Sequence, residues 1–382
     1  MIKIVHLITD LAIGGAEMVL CRLLDKLDRS RFDAAVVSMT DEGNLGGRLR
    51  EQGIRLFTLR MRPGVADPRG LVRLWRILRS ERPHVLQTWL YHADVLGLLA
   101  GRLAGVAAIA WNVRCADMDM RHYSRLSALT VRVLARWSSR PDVVVFNSEA
   151  GRRVHGALGY RPRSWRVIPN GIDPEVFRPR PEARASVGSE LGLPEEALLI
   201  GLVARFDPMK DHDNFLRAAA LLRDEEPPVH FVLAGRGVDR GNEALARRVA
   251  ELGLNERVHL LGERDDIPRL TAALDVATCS SSGEGFPNLI GEAMACGVPC
   301  VSTDVGDAAW MLGRTGVVVP AKDPAALAGG WRRLVAAGPQ ARSGLGAAAR
   351  KRVEQCFTLA GAVARYERLY EDLARARPEV GR

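Results

Sequence analysis

Long apolar runs are absent from this chain of 382 residues. A membrane-spanning helix needs about 18 or more consecutive apolar residues, and no such stretch occurs. Residues 1–11 follow a strand pattern and lack the basic segment and small-residue cleavage site of a secretory signal. We therefore expect neither a secreted nor a membrane-spanning protein, and we expect a cytoplasmic location.

Aromatic residues are also few, at 5% of the chain. No stretch interleaves them with Arg or Lys, as a surface that stacks nucleic-acid bases would. A nucleic-acid partner is therefore not expected. The net charge of +9, carried mostly by arginine, still indicates an anionic partner, although charge alone does not choose among nucleotides, anionic lipids and nucleic acid.

The six cysteines are scattered, and only Cys296 and Cys300 are close enough to suggest a metal site. No second pair of ligands accompanies them, and both lie among apolar residues where a helix leads into a buried strand. Thiols in such places behave as small apolar side chains. We expect buried, reduced thiols here and no metal.

Short apolar runs bounded by turn residues alternate with helical patterns in both halves of the chain. Regular alternation of this kind predicts a parallel sheet covered by helices on both faces. The predicted strands lie at 3–7, 33–38, 55–59, 84–88, 107–111 and 142–147 in the first half, and at 198–204, 229–234, 257–261, 275–279, 299–303 and 316–319 in the second. The predicted fold class is α/β, with two Rossmann-like domains whose parallel sheets face a central cleft.

A stretch punctuated by prolines, from Asp173 to Pro194, separates the two strand series. We expect an N-terminal domain at 1–168, a C-terminal domain at 169–356, and a final amphipathic helix at 357–382 that packs back on the N-terminal domain. Strand C-terminal ends and helix N-termini of two such sheets surround a shared crevice, where the site is expected.

The first predicted strand is followed by a loop with paired glycines, Gly14 and Gly15. Such a pair brings the backbone close to a ligand as a helix begins, so that free amides and the helix dipole face an anion. Taken alone, a Gly-Gly pair before a helix is more often an ordinary turn. The spacing is not that of the dinucleotide fingerprint, which needs a third glycine.

The first strand of the second half runs into a loop that contains Arg205 and Lys210. Arginine offers a fork for phosphate oxygens and lysine a compact charge, so together they suit a leaving diphosphate. The alternative is a solvated basic loop.

The most informative segment is 280–297, where small residues follow a strand and a helix begins near Pro287. Glu284 falls in the loop and Glu292 inside the helix. Seven residues lie between these carboxylates, so they should contact different parts of one ligand and not act as a paired acid and base. Alternatively, Glu292 is an exposed helical residue and Glu284 is favoured by the dipole at a helix start.

This segment resembles the Glu-x7-Glu motif of the family 4 retaining glycosyltransferases, which have the GT-B fold. Residues 167–173 are similar to the family's interdomain signature, 204–210 to its diphosphate-binding pair, and 14–17 to its first loop. The similarity spans essentially the whole chain in the right order. At 303–310 the chain departs from the usual pattern, and we interpret that loop as structural, with Gly306 needed for its turn.

The resemblance implies that the Gly14 and Gly15 loop, Arg205 and Lys210 hold the donor diphosphate. It implies that Glu284 binds hydroxyls of the transferred sugar and Glu292 those of the ribose. The other donor-binding residues that it implies are Gly285, Phe286, Pro287, Asn288 and Leu289. His92 is similar to the family histidine near the reacting sugar; alternatively it is a helix-start histidine with a structural hydrogen bond.

The catalytic residues expected from this resemblance are Arg205, Lys210, Glu284 and His92. The implied reaction is retaining transfer of a hexosyl sugar from a nucleotide diphosphate donor, with a UDP-sugar expected, to a glycan or lipid-linked acceptor. Cell-envelope polysaccharide or glycolipid synthesis is the expected setting, with no metal or other cofactor. The alternatives are a sugar-nucleotide epimerase, a sugar phosphorylase, or a catalytically silent nucleotide-sugar-binding protein.

The acceptor should meet the N-terminal half, where Arg114 is a candidate for binding an anionic acceptor. In the same half a predicted helix carries arginines along one arc and apolar residues opposite. Such a helix either lies on an anionic membrane, making the protein peripheral there, or packs on the sheet with a solvated basic face. The arginines are Arg121, Arg125, Arg132, Arg136 and Arg140, and the apolar residues are Tyr123, Leu126, Val133, Leu134 and Trp137.

Overall fold

The structure is a computed structural model that describes residues 1–63, 65, 67–114, 125–225 and 228–376, with the side chains of 125–128 left out. The described chain forms two compact units. The first comprises Met1–Gly171 together with the segment from Leu359 onwards, and the second is Ile172–Thr358. The chain therefore changes unit at 171/172 and 358/359, where the sequence predicted boundaries at 168/169 and 356/357.

The first unit is a seven-stranded parallel sheet with helices on both faces. Its strands are β1 (Ile2–Ile8), β2 (Phe32–Ser38), β3 (Arg55–Thr58), β4 (Val85–Trp89), β5 (Ala108–Val113), β6 (Val143–Phe146) and β7 (Trp165–Val167). Its helices in this part of the chain are α1 (Gly15–Lys26), α2 (Gly46–Glu51), α3 (Pro68–Glu81), α4 (Tyr91–Ala104), α5 (Arg125–Trp137) and α6 (Glu149–Ala157).

The second unit is a six-stranded parallel sheet of the same kind. Its strands are β8 (Leu198–Val203), β9 (Val229–Ala234), β10 (Val258–Leu260), β11 (Val276–Cys279), β12 (Cys300–Thr303) and β13 (Gly316–Val319). Its helices are α7 (Ala183–Glu190), α8 (His212–Ala220), α9 (Glu243–Glu251), α10 (Ile267–Ala272), α11 (Asn288–Ala295), α12 (Ala308–Leu312), α13 (Pro324–Ala336) and α14 (Gly338–Cys356). One last helix, α15 (Leu359–Arg375), returns to the first unit.

The strand order reverses once in each sheet. The orders are β3-β2-β1-β4-β5-β6-β7 and β10-β9-β8-β11-β12-β13, so the reversals lie between β1 and β4 and between β8 and β11. Ligands of open parallel sheets bind beyond the carboxyl ends of the strands at such points. The loops and first helical turns that follow these four strands carry the paired glycines, His92, the basic pair and Glu284.

Strand residues alternate between two cores in the first unit. Ile4 and Ile8 of β1 face a core that includes Tyr366 and Tyr370 of α15, both fully or almost fully buried. Val5 of β1 faces the other core, which is covered by α3, α4 and α5. Helix α15 thus supplies part of the first unit's interior.

The α/β prediction with two Rossmann-like parallel sheets is confirmed. The sequence did not predict strand β7, because the alternation of strand and helix patterns ends near Arg166. This three-residue strand lies at the sheet edge, and its first residue, Trp165, is 43% exposed, so it lacks an apolar run.

Candidate functional site

The loop after β8 is a tightly capped turn. Asp207 accepts a hydrogen bond from the Met209 amide at 2.9 Å and so caps a short 3-10 turn at Pro208–Lys210. Asp211, in the left-handed region at φ 49°, then caps α8 by accepting from the Asn214 amide at 3.1 Å. The two caps fix the backbone at Lys210 and therefore the position from which its side chain extends.

Lys210 and Glu284 form a partly buried ion pair. Lys210 Nζ lies 2.5 Å from Glu284 Oε1, and the two side chains are 20% and 12% exposed. Ser281 donates its hydroxyl to the same carboxylate oxygen at 2.7 Å. Burial alone would lower the pKa of Lys210, but the Glu284 carboxylate raises it above its ordinary value, so the lysine is a cation. For Lys210, this excludes the alternative of a solvated basic loop.

Two hydrogen bonds to backbone carbonyls join the loops that carry this pair. Ser280 donates its hydroxyl to the Lys210 carbonyl at 2.8 Å, and the Ser282 amide donates to the Met209 carbonyl at 2.8 Å. A displacement of one loop therefore displaces the other.

Arg205 lies in the same loop but is more open to solvent. Its Nε and Nη2 atoms donate to Asp207 Oδ2 at 3.1 and 2.9 Å, and its side chain is 46% exposed. Burial raises the pKa of Asp207, but the Met209 amide and the Arg205 guanidinium outweigh it and bring the pKa below its ordinary value. An exposed guanidinium paired with a loop carboxylate can turn toward an incoming phosphate.

Glu284 and Glu292 occupy different elements, in agreement with the seven-residue spacing between them. Glu284 lies in the loop after β11, whereas Glu292 lies on α11 and lines a small cavity with Val203, Thr271 and Leu289. The remaining predicted donor residues connect the two carboxylates. Gly285, Phe286 and Pro287 complete the loop, and Asn288 and Leu289 form the first turn of α11.

Phe286 and Gly306 fix this segment from two sides. Phe286 is buried and lies edge-on to Phe357, with ring centroids 5.7 Å apart. Gly306 has φ 57°, and a Cβ there would overlap the carbonyl oxygens of Glu284 and Gly285. The predicted need for glycine in this turn is confirmed, and the structure adds its contact with the Glu284 loop, which the sequence did not reveal.

The paired glycines of the first unit differ in their surroundings. A Cβ on Gly14 would overlap the carboxylate of Glu17, which is buried and folds back over the start of α1. A Cβ on Gly15 would meet nothing within 4 Å. Gly14 therefore makes room for a side chain of its own helix, while Gly15 borders open space.

His92 is the second residue of α4, as the helix-start interpretation required, and its side chain is exposed. Leu90, just before the helix, has φ 74° and ψ 159°, a conformation that normally needs glycine. Asp94, two residues after His92, is fully buried and accepts a hydrogen bond from the Thr88 hydroxyl. Burial raises the pKa of Asp94 to about 8.

Neither Leu90 nor Asp94 stood out in the sequence. A leucine gives no sign of a positive φ, and an aspartate in a first helical turn is ordinarily an exposed residue favoured by the helix dipole. Only the tertiary structure shows that Asp94 lies beneath the turn that presents His92.

Arg114 uses its guanidinium within the first unit. It hydrogen-bonds Asn170 and, at 3.4 Å, the Tyr366 hydroxyl, and it lies over the Trp89 ring at 5.2 Å. Burial lowers its pKa. These contacts tie the end of β5 to α15, and a role toward an acceptor stays a prediction.

The basic helix predicted around 121–140 is only partly described. Arg121 and Tyr123 lie outside the described residues, as do the side chains of Arg125 and Leu126. In the rest of α5, Leu134 is buried in the core while Arg132 and Arg136 are exposed. Arg140, just beyond the helix, is also exposed, and Val133 and Trp137 are partly buried. This part packs on the sheet with a basic outer face.

Cys296 and Cys300 are free and buried, as predicted, and burial raises the pKa of Cys296 to about 12. Cys115 lies outside the described residues. Within the described ranges, His, Cys, Asp and Glu side chains form no group of three that suits a metal ion. The same ranges contain no helix with the length and apolar character to cross a membrane.

Two Rossmann-like sheets, with a cation and a carboxylate paired at one switch point, fit the GT-B class of glycosyltransferases that the sequence resembles. Family models agree: Glycosyltransferase Family 4 matches residues 13–176, and Glycosyl transferases group 1 matches residues 197–337. The chain belongs to the family 4 glycosyltransferases.

The individual relatives that match this chain have low sequence identity to it. The chain is 27% identical over 312 residues, 80% of each protein, to the UDP-Gal:alpha-D-GlcNAc-diphosphoundecaprenol alpha-1,3-galactosyltransferase of Escherichia coli. It is 34% identical over 190 residues, 46% of this chain and 42% of the relative, to the D-inositol 3-phosphate glycosyltransferase of Salinispora arenicola. The structure of Anabaena Alr3699/HepE in complex with UDP superposes with a TM-score of 0.85 at 23% identity, covering 97% of this chain and all of that one, and shows the shared fold.

Proposed function

We propose that this glycosyltransferase moves a hexosyl sugar from a UDP-sugar to a glycan or lipid-linked acceptor, with retention at the anomeric carbon. The Lys210 and Glu284 pair at the switch point of the second unit carries the proposal. The Escherichia coli relative, by its name, uses UDP-Gal and a diphosphoundecaprenol-linked acceptor, and the similar Anabaena structure contains UDP. Both support a UDP-sugar donor, and the lipid-linked acceptor of the Escherichia coli relative supports a role in cell-envelope polysaccharide or glycolipid synthesis.

Lys210 and Arg205 supply the positive charge that the leaving diphosphate needs. Lys210 is partly buried, so its field at a phosphate oxygen is screened less than that of a surface lysine. Arg205 exchanges Asp207 for a phosphate oxygen, and amides at the start of α11 add further donors. With this charge provided by side chains and amides, the reaction as proposed requires no metal or other cofactor.

Glu284 acts as a binding group for sugar hydroxyls in this proposal. Its Oε1 already accepts from Lys210 and Ser281, which stabilises the carboxylate and lowers its nucleophilicity. In the transfer step the bond from the anomeric carbon to the phosphate oxygen breaks, and the acceptor oxygen bonds to that carbon on the same face. The acceptor's proton moves to the departing phosphate oxygen, so no covalent enzyme intermediate forms.

Glu292 is assigned to the ribose and His92 to the reacting sugar. Glu292 is placed by α11 beside a cavity and away from the Lys210 pair. Among the described residues, none hydrogen-bonds the exposed His92 ring, which leaves the imidazole available to substrate. We also propose a peripheral location on the inner face of the cytoplasmic membrane, where a lipid-linked acceptor would be met.

A panel of nucleotide sugars, assayed for hydrolysis and for transfer, tests the proposal. Lys210→Ala should lower turnover of the preferred donor at least a hundredfold while the protein stays folded, because one oxyanion-type contact contributes about that much. Lys351→Ala, on the exposed surface of α14, is the control and should be fully active. Full activity of Lys210→Ala, a glycosyl adduct on Glu284, or recovery of an epimerised donor would contradict the proposal.

A further inference from the structure

Three neighbouring helices of the first unit expose large apolar side chains on their outer side. Helix α3 packs against α4, and α4 packs against α5, so their outer sides form one continuous surface, here called the three-helix face. The exposed apolar residues are Val72 (45%), Trp75 (38%), Leu99 (40%), Leu103 (66%) and Leu129 (55%).

These residues are additional to those that hold the helices on the sheet. Leu74 and Leu78 of α3, Leu98 of α4 and Leu134 of α5 are buried in the core. The apolar area that this set still exposes to water therefore makes no contribution to folding of the described unit. Single exposed apolar residues are normal, but a group on one continuous surface indicates a contact with something else.

The same face is strongly basic. The exposed arginines are Arg69, Arg73, Arg76 and Arg79 on α3, Arg102 on α4, and Arg132 and Arg136 on α5. The sequences of the three helices contain only two carboxylates, Glu81 and Asp94. Asp94 is buried, and Glu81 is mostly buried and paired with Arg55 at 2.6 Å, so neither presents negative charge on this face.

We propose that the three-helix face docks on an anionic lipid surface. Arginines at a bilayer surface meet lipid phosphates, while Trp and Leu enter the boundary between headgroups and acyl chains. A nucleic acid would use the charges but would leave Leu99, Leu103 and Leu129 without an apolar partner. Among the side chains that the structure describes on this face, Trp75 is the one exposed aromatic ring on which a base could stack. The inference rests on the proposed function and adds the surface through which the enzyme meets its membrane.

The sequence suggested only the helix around 121–140 for this role, with packing on the sheet as the alternative, and the structure points to a larger surface. The described part of α5 buries Leu134 and exposes Leu129 as its one large apolar side chain. Most of the exposed apolar residues belong to α3 and α4. The arginines of α5 extend the basic area at its edge.

Co-sedimentation of the full chain with vesicles tests docking. The protein should bind vesicles of phosphatidylcholine mixed with phosphatidylglycerol and not vesicles of phosphatidylcholine alone. Binding should weaken as salt is raised, because salt screens charges at the surface. Failure of the wild-type protein to bind the anionic vesicles would overturn the proposal, as would tighter binding to RNA or DNA than to those vesicles.

A pair of double variants locates the surface. Leu103→Ser with Arg76→Gln changes the three-helix face, and Leu221→Ser with Arg247→Gln makes the same changes at exposed positions of the second unit. Loss of one arginine contact alone corresponds to about a fivefold weaker partition. The first variant should therefore bind anionic vesicles about tenfold more weakly or worse, and the second should bind like wild type.

Donor hydrolysis without a membrane separates this inference from the proposed function. Both double variants should hydrolyse the donor in solution at the wild-type rate, since neither touches the Lys210 and Glu284 pair. Vesicle binding retained by the first variant, or lost equally by both, would overturn the assignment of the face even if the enzyme is a glycosyltransferase.

Discussion

At the residue scale, the site depends on a contact between positions 74 residues apart, Lys210 and Glu284. The charge of Lys210 is maintained by that contact, because burial without the carboxylate would lower the lysine pKa. Lys210, which we propose stabilises the leaving diphosphate, thus keeps its charge through Glu284, which we propose binds the sugar.

Glu284→Gln should therefore change the pH dependence of the reaction as well as its rate. Without the carboxylate, the pKa of Lys210 falls and the lysine loses its proton at a lower pH. Since the proposed transfer uses the protonated lysine, the alkaline decline of kcat/KM should move to lower pH in the variant. A profile of kcat/KM against pH measures this, and Ser281→Ala, which keeps the carboxylate, should leave the alkaline decline near its wild-type position. An unmoved profile in Glu284→Gln would contradict the coupling.

The second prediction at this scale concerns the buried carboxyl group of Asp94. Burial raises its pKa from an ordinary value of 3.8 to about 8, so between these values the folded state holds a proton that the unfolded state has released. The folded state binds more protons there, and its stability must fall as pH rises through this window. Asp94→Asn carries no such proton. Between about pH 4 and pH 8, its free energy of unfolding should therefore decline by a few kcal/mol less than that of the wild type.

Denaturant unfolding at several pH values measures the effect of Asp94→Asn. The control is Asp265→Asn, at an exposed aspartate of the second unit, which should keep the wild-type slope. Parallel slopes for Asp94→Asn and wild type would show that Asp94 is ionised in the folded protein.

At the scale of elements, the loops at the strand ends decide the geometry of the site. Strands were predictable because their apolar runs are bounded by turn residues. The positions of Glu284 in a loop and Glu292 in a helix were predictable because small residues follow a strand and Pro287 marks a helix start. Leu90, Asp94 and the contact of Gly306 with the Glu284 loop were not, because each depends on atoms distant in sequence. Local patterns contain no information about such neighbours.

Gly306→Ala tests the support that one loop gives to another. The alanine would be strained at φ 57° and its Cβ would overlap the Glu284 and Gly285 carbonyls, so stability should fall by about 1–3 kcal/mol. Transfer should fall further than stability explains, because the Glu284 loop must move. Gly344→Ala on α14, where a Cβ meets nothing within 4 Å, should instead add about 0.5–1 kcal/mol. Thermal unfolding and transfer assays on both variants measure these effects, and wild-type activity in Gly306→Ala would contradict the role of the loop.

At the scale of the whole molecule, composition predicted an anionic partner but not where it binds. The net charge of +9 is a property of the entire chain, whereas the three-helix face exists only because three separate helices lie side by side. Its exposed leucines fit the helical pattern of a core as well as that of a surface, so the sequence alone did not distinguish them. The family, by contrast, was apparent from four motifs in order along the chain.

The return of α15 to the first unit sets an order for folding during synthesis. The second unit has its own ends joined, since the Ile172 amide donates to the Phe357 carbonyl at 2.8 Å, and it can close as soon as Thr358 has left the ribosome. The first unit waits longer, because Tyr366 and Tyr370 of its core are made afterwards. The first unit is thus synthesised first but completes its folding last. Until then, the apolar surface that α15 covers is exposed and can bind chaperones.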